Sequence, residues 1–192
     1  MEAPLGKLPV TMNGELGPAF WSITDDMFGQ CWSLNGNSEA MRRIYSPYKE
    51  KILLQTSVKK FELIKNQIKY GMLAPVTYYK NLLRELKHIE TLSFPINSYK
   101  YGFLKRNAFE HEKEVRIITL IDNKYRSENC NYIEIELDPL KFIDGIIIDP
   151  RASNQHVDLI KKYCKRAGFT IIPEKLDLYS DIYEKTGIFF KP

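Results

Sequence analysis

The chain has 192 residues, 44% hydrophobic and 27% charged, with a formal net charge of +4. These are ordinary globular values, which exclude a disordered or collagen-like chain. No apolar run approaches the roughly 20 residues that span a bilayer. "MEAPLGKLPV" lacks the charged-then-apolar layout of a signal peptide, so the expectation is a cytoplasmic protein with no membrane partner. The three cysteines (Cys31, Cys130, Cys164) and three histidines (His88, His111, His156) are scattered. They show no metal-ligand spacing, and no metal site is expected. Charge is unevenly placed: residues 1–40 carry −4, residues 41–126 carry +10 and residues 127–192 carry −2. A basic middle third suits a phosphate-rich ligand or nucleic acid, and a solvated surface reads the same way.

In chain order, residues 1–18, rich in Gly and Pro, read as an irregular arm, and 19–192 as a single α+β domain. "FWSITDD" and "QCWSL" read as short strands around a turn at Asp25–Gly29. "NSEAMRRIYS" predicts a helix with Ser38 as N-cap, Met41, Ile44 and Tyr45 on one face, and Pro47 ending it. "KILLQTS" predicts a buried strand, followed by a helix capped by Thr56 or Ser57 and carrying Val58, Phe61, Ile64 and Ile68. "MLAPVTYY" reads as a strand weakened by Pro75, and "YKNLLRELKHIETL" as a helix. "YKYGFLKRNAF" reads as a helix or a structured loop that delivers Lys105 and Arg106.

A strand from Glu112 to Ile121 and the strand "NYIEIELD" predict a hairpin with one wet face. "DGIIIDP", a helix over Asn154–Ala167 closed by Gly168, and "FTIIP" predict a βαβ unit. The fold class expected is α+β, with a mixed, largely antiparallel sheet and flanking helices.

The candidate chemistry lies in "AFEHEKEVRIITLID". In an extended strand Glu112, Glu114 and Arg116 share one face, with Val115 and Ile117 on the other. A strand glutamate in a cleft can orient a hydroxyl, steady a developing cation or act as a base, and Arg116 would keep a neighbouring carboxylate ionised. An exposed strand face with cross-strand ion pairs explains the alternation equally. Lys105 and Arg106 lie just upstream; Arg42, Arg43 and Tyr45 come from the early helix, and Thr56 and Ser57 end an early strand. Such a set can hold a dinucleotide, with pyrophosphate on the cations and helix N-terminus and ribose hydroxyls on a glutamate.

"QCWSL", "SEAMRRIYS", "LLQTS" and "FLKRNAFEHEKEVRIIT" together resemble a bacterial family known only as domain of unknown function 2971, over about residues 19–180. The matching positions are Cys31, Trp32, Ser33, Tyr45, Thr56, Lys105, Arg106, Phe109, Glu112, Glu114 and Arg116. Arg42 stands where that family usually has Trp, and Asn37 where an acid is common. More distantly, "EKEVRIIT" resembles the Glu-x-Glu strand of ADP-ribosyltransferase toxins.

That second resemblance implies an ADP-ribosyltransferase-like sheet and an NAD-dependent transferase, a toxin or phage-defence effector that modifies nucleic acid, RNA in preference to DNA. NAD would be its substrate and an antitoxin protein its partner. Glu114 would bind the ribose and steady the oxocarbenium-like centre, and Glu112 would address the acceptor. Arg43, Tyr45, Thr56, Ser57, Lys105, Arg106 and Arg116 would hold NAD.

Two alternatives stand beside it. A metal-dependent nuclease could use the paired carboxylates to hold Mg²⁺, although His111 stands where the usual Glu-x-Lys spacing would need an acid. A non-enzymatic module could bind RNA or a protein through the basic face.

Overall fold

A computed structural model describes residues 8–12, 15–19, 27–36, 38–68, 70–92, 96–120 and 132–176. The expectations for "FWSITDD", the start of the Asp25–Gly29 turn, Asn37 and Cys130 lie outside the described residues. The fold is α+β, with mixed, antiparallel-dominant sheet and flanking helices. No helix among the described residues is long and apolar enough to cross a membrane. The chain divides into two compact units, Met1–Asn35 with Ile64–Glu136 and Gly36–Leu63 with Leu137–Pro192.

In the first unit, the stretch read as an irregular arm contains strands β1 (Leu8–Met12) and β2 (Glu15–Ala19), paired antiparallel. Strand β3 (Met27–Ser33) takes in "QCWS", read as a strand in the sequence. The sequence then returns to this unit with β5 (Gly71–Pro75) and β6 (Thr77–Tyr79). They are two strands rather than one because the chain changes ladder at Val76, Gly71–Pro75 pairing with residues 115–119 and Thr77–Tyr79 with residues 104–106. Helix α2 (Leu82–Glu90) is capped by Asn81, whose side chain accepts from the Arg84 N–H. Helix α3 (Ile96–Gly102) leads into β7 (Leu104–Arg106), a 3₁₀ helix over Asn107–Glu112, and β8 (Glu114–Leu120).

The central strand of this unit is β8, antiparallel to β3 on one side and β5 on the other. Ile118 is fully buried and packs with Tyr99 and Phe103 of the α3 segment, against Met27, Met72 and Ala74. A second cluster joins Tyr79, Leu86, Ile89, Tyr101 and Leu104, where β6 runs parallel to β7. At Gly102 the backbone comes so close to β8 that an added Cβ would meet Ile118 Cδ1 and Met27 Sδ, each at 2.5 Å. This glycine therefore sets how near the Gly102 carbonyl can approach the strand.

Two expectations need correction here. The glutamate strand begins at Glu114, not Glu112, because Lys113 adopts the left-handed conformation (φ 44°) and ends the 3₁₀ helix that carries Glu112. "NYIEIELD" does not pair with β8: among its described residues, 132–138 form no strand. Instead the Gln67 side chain grips the Glu136 backbone, accepting its N–H at 2.7 Å and donating to its carbonyl at 2.6 Å. Ile133 and Ile135 stay half-buried while Glu134 and Glu136 are exposed, so the alternation recorded one-sided burial without sheet pairing.

In the second unit, α1 (Glu39–Tyr45) starts at Ser38 as expected, but its inward residue is Arg42, while Ile44 and Tyr45 are exposed. Strand β4 (Ile52–Gln55) is the edge of a three-stranded sheet, with Ile52 and Leu54 exposed, not the buried strand its apolar run suggests. Its partner β9 (Gly145–Ile148) is the buried one. The Val58–Ile64 segment is 3₁₀ rather than α-helical, in keeping with the three-residue spacing of Val58, Phe61 and Ile64. It docks through a Phe61–Phe142 edge-to-face contact, Phe142 lying in the short helix α4 (Pro139–Phe142). Helix α5 (Asn154–Arg166) buries Val157 and Cys164, and Gly168 (φ +88°) provides the left-handed turn that ends it. The βαβ unit exists, with its return strand β10 at Glu174–Lys175, parallel to β9 and just past the expected "FTIIP".

Candidate functional site

Strand β8 carries Glu114, Arg116 and Ile118 on one face, and that face points inward: they are 5%, 2% and 0% exposed. Val115, Ile117 and Thr119 on the opposite face are only half-buried. The polarity is thus the reverse of an ordinary amphipathic strand. A charged face can be buried only if its charges are paired and bonded, and the surrounding residues meet that requirement.

Arg116 donates from Nε to Glu114 Oε1 at 3.0 Å and from Nη2 to Glu114 Oε2 at 3.1 Å, a two-pronged pairing. Its Nη1 donates to the Gly102 carbonyl at 2.5 Å, which uses the close approach of that glycine. From β7, Lys105 Nζ lies 2.7 Å from Glu112 Oε2 and 3.0 Å from Glu114 Oε2. Two cations and two anions make a neutral quartet.

The backbone around the quartet is held as firmly. Tyr78 on β6 accepts the Glu114 N–H through its hydroxyl at 2.7 Å. Ser33 at the end of β3 donates its hydroxyl to the Glu112 carbonyl at 2.6 Å, and Asn35 donates to the His111 carbonyl at 2.9 Å. Cys31 stands opposite Arg116 in the β3–β8 ladder. The ring of Phe109 lies beneath the Lys105 ammonium at 4.9 Å and the Arg106 guanidinium at 5.5 Å.

Electrostatics follow from these contacts. Burial would raise the Glu114 carboxyl, but hydrogen bonds from Arg116, Cys31 and Lys105 outweigh it and hold the group at about 2, against an ordinary 4.5. Burial would lower Lys105, but its two glutamates win and raise it, so it stays protonated. The Cys31 thiol is pushed up to about 11 from 9.0, first by desolvation of the sulfur and then by the Glu114 carboxylate, although the residue as a whole is exposed. Cys31 is therefore expected to react with iodoacetamide at pH 8 at least 10-fold more slowly than free cysteine, since only the thiolate attacks. Peptide mapping of alkylated protein checks this; modification at the free-thiol rate would show that neither burial nor Glu114 restrains the sulfur.

The nine residues expected to form one site divide between the units. Glu112, Glu114, Lys105, Arg106 and Arg116 belong to the first, and the first three and Arg116 make up the quartet. Arg43, Tyr45, Thr56 and Ser57 belong to the second. There Arg43 pairs with Glu39 one helical turn away at 2.7 Å, on the exposed side of α1. Thr56 donates its hydroxyl to the Phe142 carbonyl at 2.6 Å, and Ser57 is exposed with its carbonyl accepting from the Lys60 N–H.

Chemically, both oxygens of Glu114 are already bonded to cations. Glu112 uses Oε2 for Lys105, and no described residue bonds its Oε1. What the quartet does best is fasten β7 and the 3₁₀ helix onto β8.

Sequence reasoning passed over a second ionic centre, in the second unit. Asp149, 1% exposed at the end of β9, accepts from the Arg151 N–H and Nε at 2.9 Å each and from Nη2 at 2.6 Å. The same Nη2 donates to the Ser46 carbonyl at 2.9 Å and the Arg42 carbonyl at 3.2 Å, closing the C-terminal end of α1. The available signal was "DPR" after a fully apolar strand, where an acid and a base two apart straddle a proline.

Comparison with protein-family models, with curated proteins and with solved structures returns no match for this chain. Nothing in these comparisons supports the designations transferase, NAD-dependent, toxin and antiviral effector for this chain. The metal-dependent alternative is corrected on the structure itself. Among the described residues no group of three or more His, Cys, Asp or Glu could hold an ion, and the paired carboxylates that suggested one are bound to Lys105 and Arg116.

Proposed function

We propose that the chain is a nucleic-acid-binding module, with RNA as its partner, and that the glutamate strand is its internal support. The observation that carries this reading is the outer face of α2. Arg84, Lys87 and His88 are exposed there, Lys80 immediately precedes the helix, and the exposed side of the helix shows no acid among its described side chains. Asn81, Leu83, Arg84 and Lys87 line a shallow depression on this face. Lys80, Arg84 and Lys87 make no ion pair with any described residue.

The quartet sharpens this charge. Residues 64–120 hold ten Lys/Arg and five Glu, and the quartet cancels two of each, leaving eight cations against three glutamates. Surface cations bind phosphates by releasing condensed counterions. The 68%-exposed Leu83 beside them offers an apolar contact for an unstacked base, which favours RNA loops over regular duplex DNA.

The test is fluorescence anisotropy with a labelled RNA hairpin at 50 and 200 mM salt. Affinity is expected to fall steeply with salt, and Arg84→Glu with Lys87→Glu to weaken binding by about 10-fold or more while flattening the salt slope. Equal binding by parent and double variant would remove α2 from the interface and sink the reading.

A further inference from the structure

The outer face of α5, in the second unit, has no part in the reading above. It combines charge and apolar exposure in an unusual way. Residues 127–192 are acidic overall, with nine Lys/Arg against 11 Asp/Glu, yet four of those nine cations fall within Lys161–Arg166. Lys161, Lys162, Lys165 and Arg166 are all exposed and make no ion pair with any described residue. The only acid of the helix, Asp158, lies in its first half. Cations in a last turn are favoured by the helix dipole, which accounts for Lys165 and Arg166.

The dipole does not account for Leu159 and Tyr163, which stand one turn apart, 61% and 69% exposed, in the middle of the helix. Helical geometry places Leu159, Lys162, Tyr163 and Arg166 on adjoining positions of the face opposite the buried Val157 and Cys164. An aromatic ring flanked by unpaired cations is the arrangement by which proteins hold single-stranded nucleic acid, the ring stacking on a base and the cations tracking the phosphates.

We infer that α5 is a binding surface for single-stranded RNA, with Tyr163 as the stacking platform and Lys162 and Arg166 as phosphate contacts. This deepens the proposed function and rests on it for the class of ligand, but not on α2 for its contacts. A duplex offers no free base to Tyr163, so the α5 contribution is confined to unpaired strands. An anionic membrane surface also matches basic and apolar residues on one helix. The observations favour RNA because the apolar part is two side chains, too narrow to sink the helix into lipid.

The experiment uses the full chain and three probes: a labelled single-stranded RNA, a perfectly paired RNA duplex of equal length, and vesicles containing 30% phosphatidylserine. Tyr163→Ala is expected to weaken single-strand binding by about 10-fold, within the usual range for loss of one base–aromatic stack. Tyr163→Phe keeps the ring and is expected to restore it, and duplex affinity stays level across both variants. Lys162→Glu with Arg166→Glu is expected to lower single-strand affinity and its salt dependence together. All three side chains are exposed, so matching thermal unfolding curves separate a lost contact from a lost fold.

If the α5 variants bind like the parent while the α2 variants lose binding, the α5 inference fails and the proposed function stands. If the parent binds neither RNA, both fail. Vesicle binding that depends on Tyr163, without RNA binding, overturns the inference in favour of a membrane surface.

Discussion

Arg116→Met is expected to destabilise the fold by about 3–5 kcal/mol, the usual cost of removing one partner from a buried ion pair. Arg116 is 2% exposed and makes three hydrogen bonds, two to the Glu114 carboxylate and one to the Gly102 carbonyl. Met matches much of its length but leaves the Glu114 carboxylate with only Lys105 to satisfy it, and takes away the donor to the Gly102 carbonyl. Arg116→Lys is expected to recover only part of the loss, because an ammonium cannot reproduce the two-pronged contact.

The effect carries a pH signature. Glu114 titrates at about 2 when folded, against an ordinary 4.5, so its pairing stabilises the fold fully above the ordinary value and is lost as pH falls towards 2. The penalty for Arg116→Met is therefore largest at neutral pH and shrinks below about 4.5. Urea unfolding of parent and variant at pH 7 and pH 3.5 measures both the size and the trend. A cost under about 1 kcal/mol at pH 7 would place Arg116 among ordinary surface ion pairs and contradict the structural role assigned to the quartet.

Arg151→Met is the second large effect, expected at about 2–4 kcal/mol, because it strands a buried carboxylate and uncaps a helix together. Asp149 depends on Arg151 for three hydrogen bonds, and hydrogen bonding by Arg151 keeps its carboxyl well below the ordinary carboxylate range despite burial. One of those bonds comes from the Arg151 backbone and survives the substitution. The Ser46 and Arg42 carbonyls lose their guanidinium donor as well. A double-mutant cycle with Asp149→Ala separates these contributions: strong coupling is expected, with the double variant costing much less than the sum of the singles. Additive losses would mean that the two residues act independently and that the ionic link between β9 and α1 contributes little.

The sequence carried more information about elements than about facing. Ser38 before an apolar-periodic run and Gly168 after α5 marked helix ends because capping is local chemistry, visible within three residues. The buried strand "GIII" was equally plain. Facing depends on what packs from elsewhere in the chain. The alternation in "EKEVRIIT" was legible, but not which side turned inward, because that depended on Lys105 arriving from β7 and on Gly102 letting its carbonyl approach Arg116. With those partners the charged face became the buried one.

The same holds for α1, where Arg42 is buried in place of Ile44 and Tyr45. Lys113 in the left-handed conformation broke the expected strand at a residue type that rarely announces such a turn. Of the residues expected at the candidate site, Lys105, Glu112, Glu114 and Arg116 interact, whereas Arg43, Tyr45, Thr56 and Ser57 belong to the second unit. The mutual satisfaction of the first four could not be read, since it is set by distances of about 3 Å that composition and spacing do not encode.

On the reading proposed above, Glu112 and Glu114 support the fold while RNA is held by exposed cations. The most direct measurement incubates the full chain with labelled NAD and RNA, recovers the RNA, and follows both retention of RNA and transfer of label, for the parent, Glu112→Gln and Arg84→Glu with Lys87→Glu. Glu112→Gln keeps the shape of the side chain and disturbs the quartet least. RNA is expected to be retained by the parent and by Glu112→Gln and lost by the α2 double variant, with no label on the RNA in any case. Label transferred by the parent and abolished by Glu112→Gln, with the fold intact, would contradict that reading and make the quartet a reactive centre.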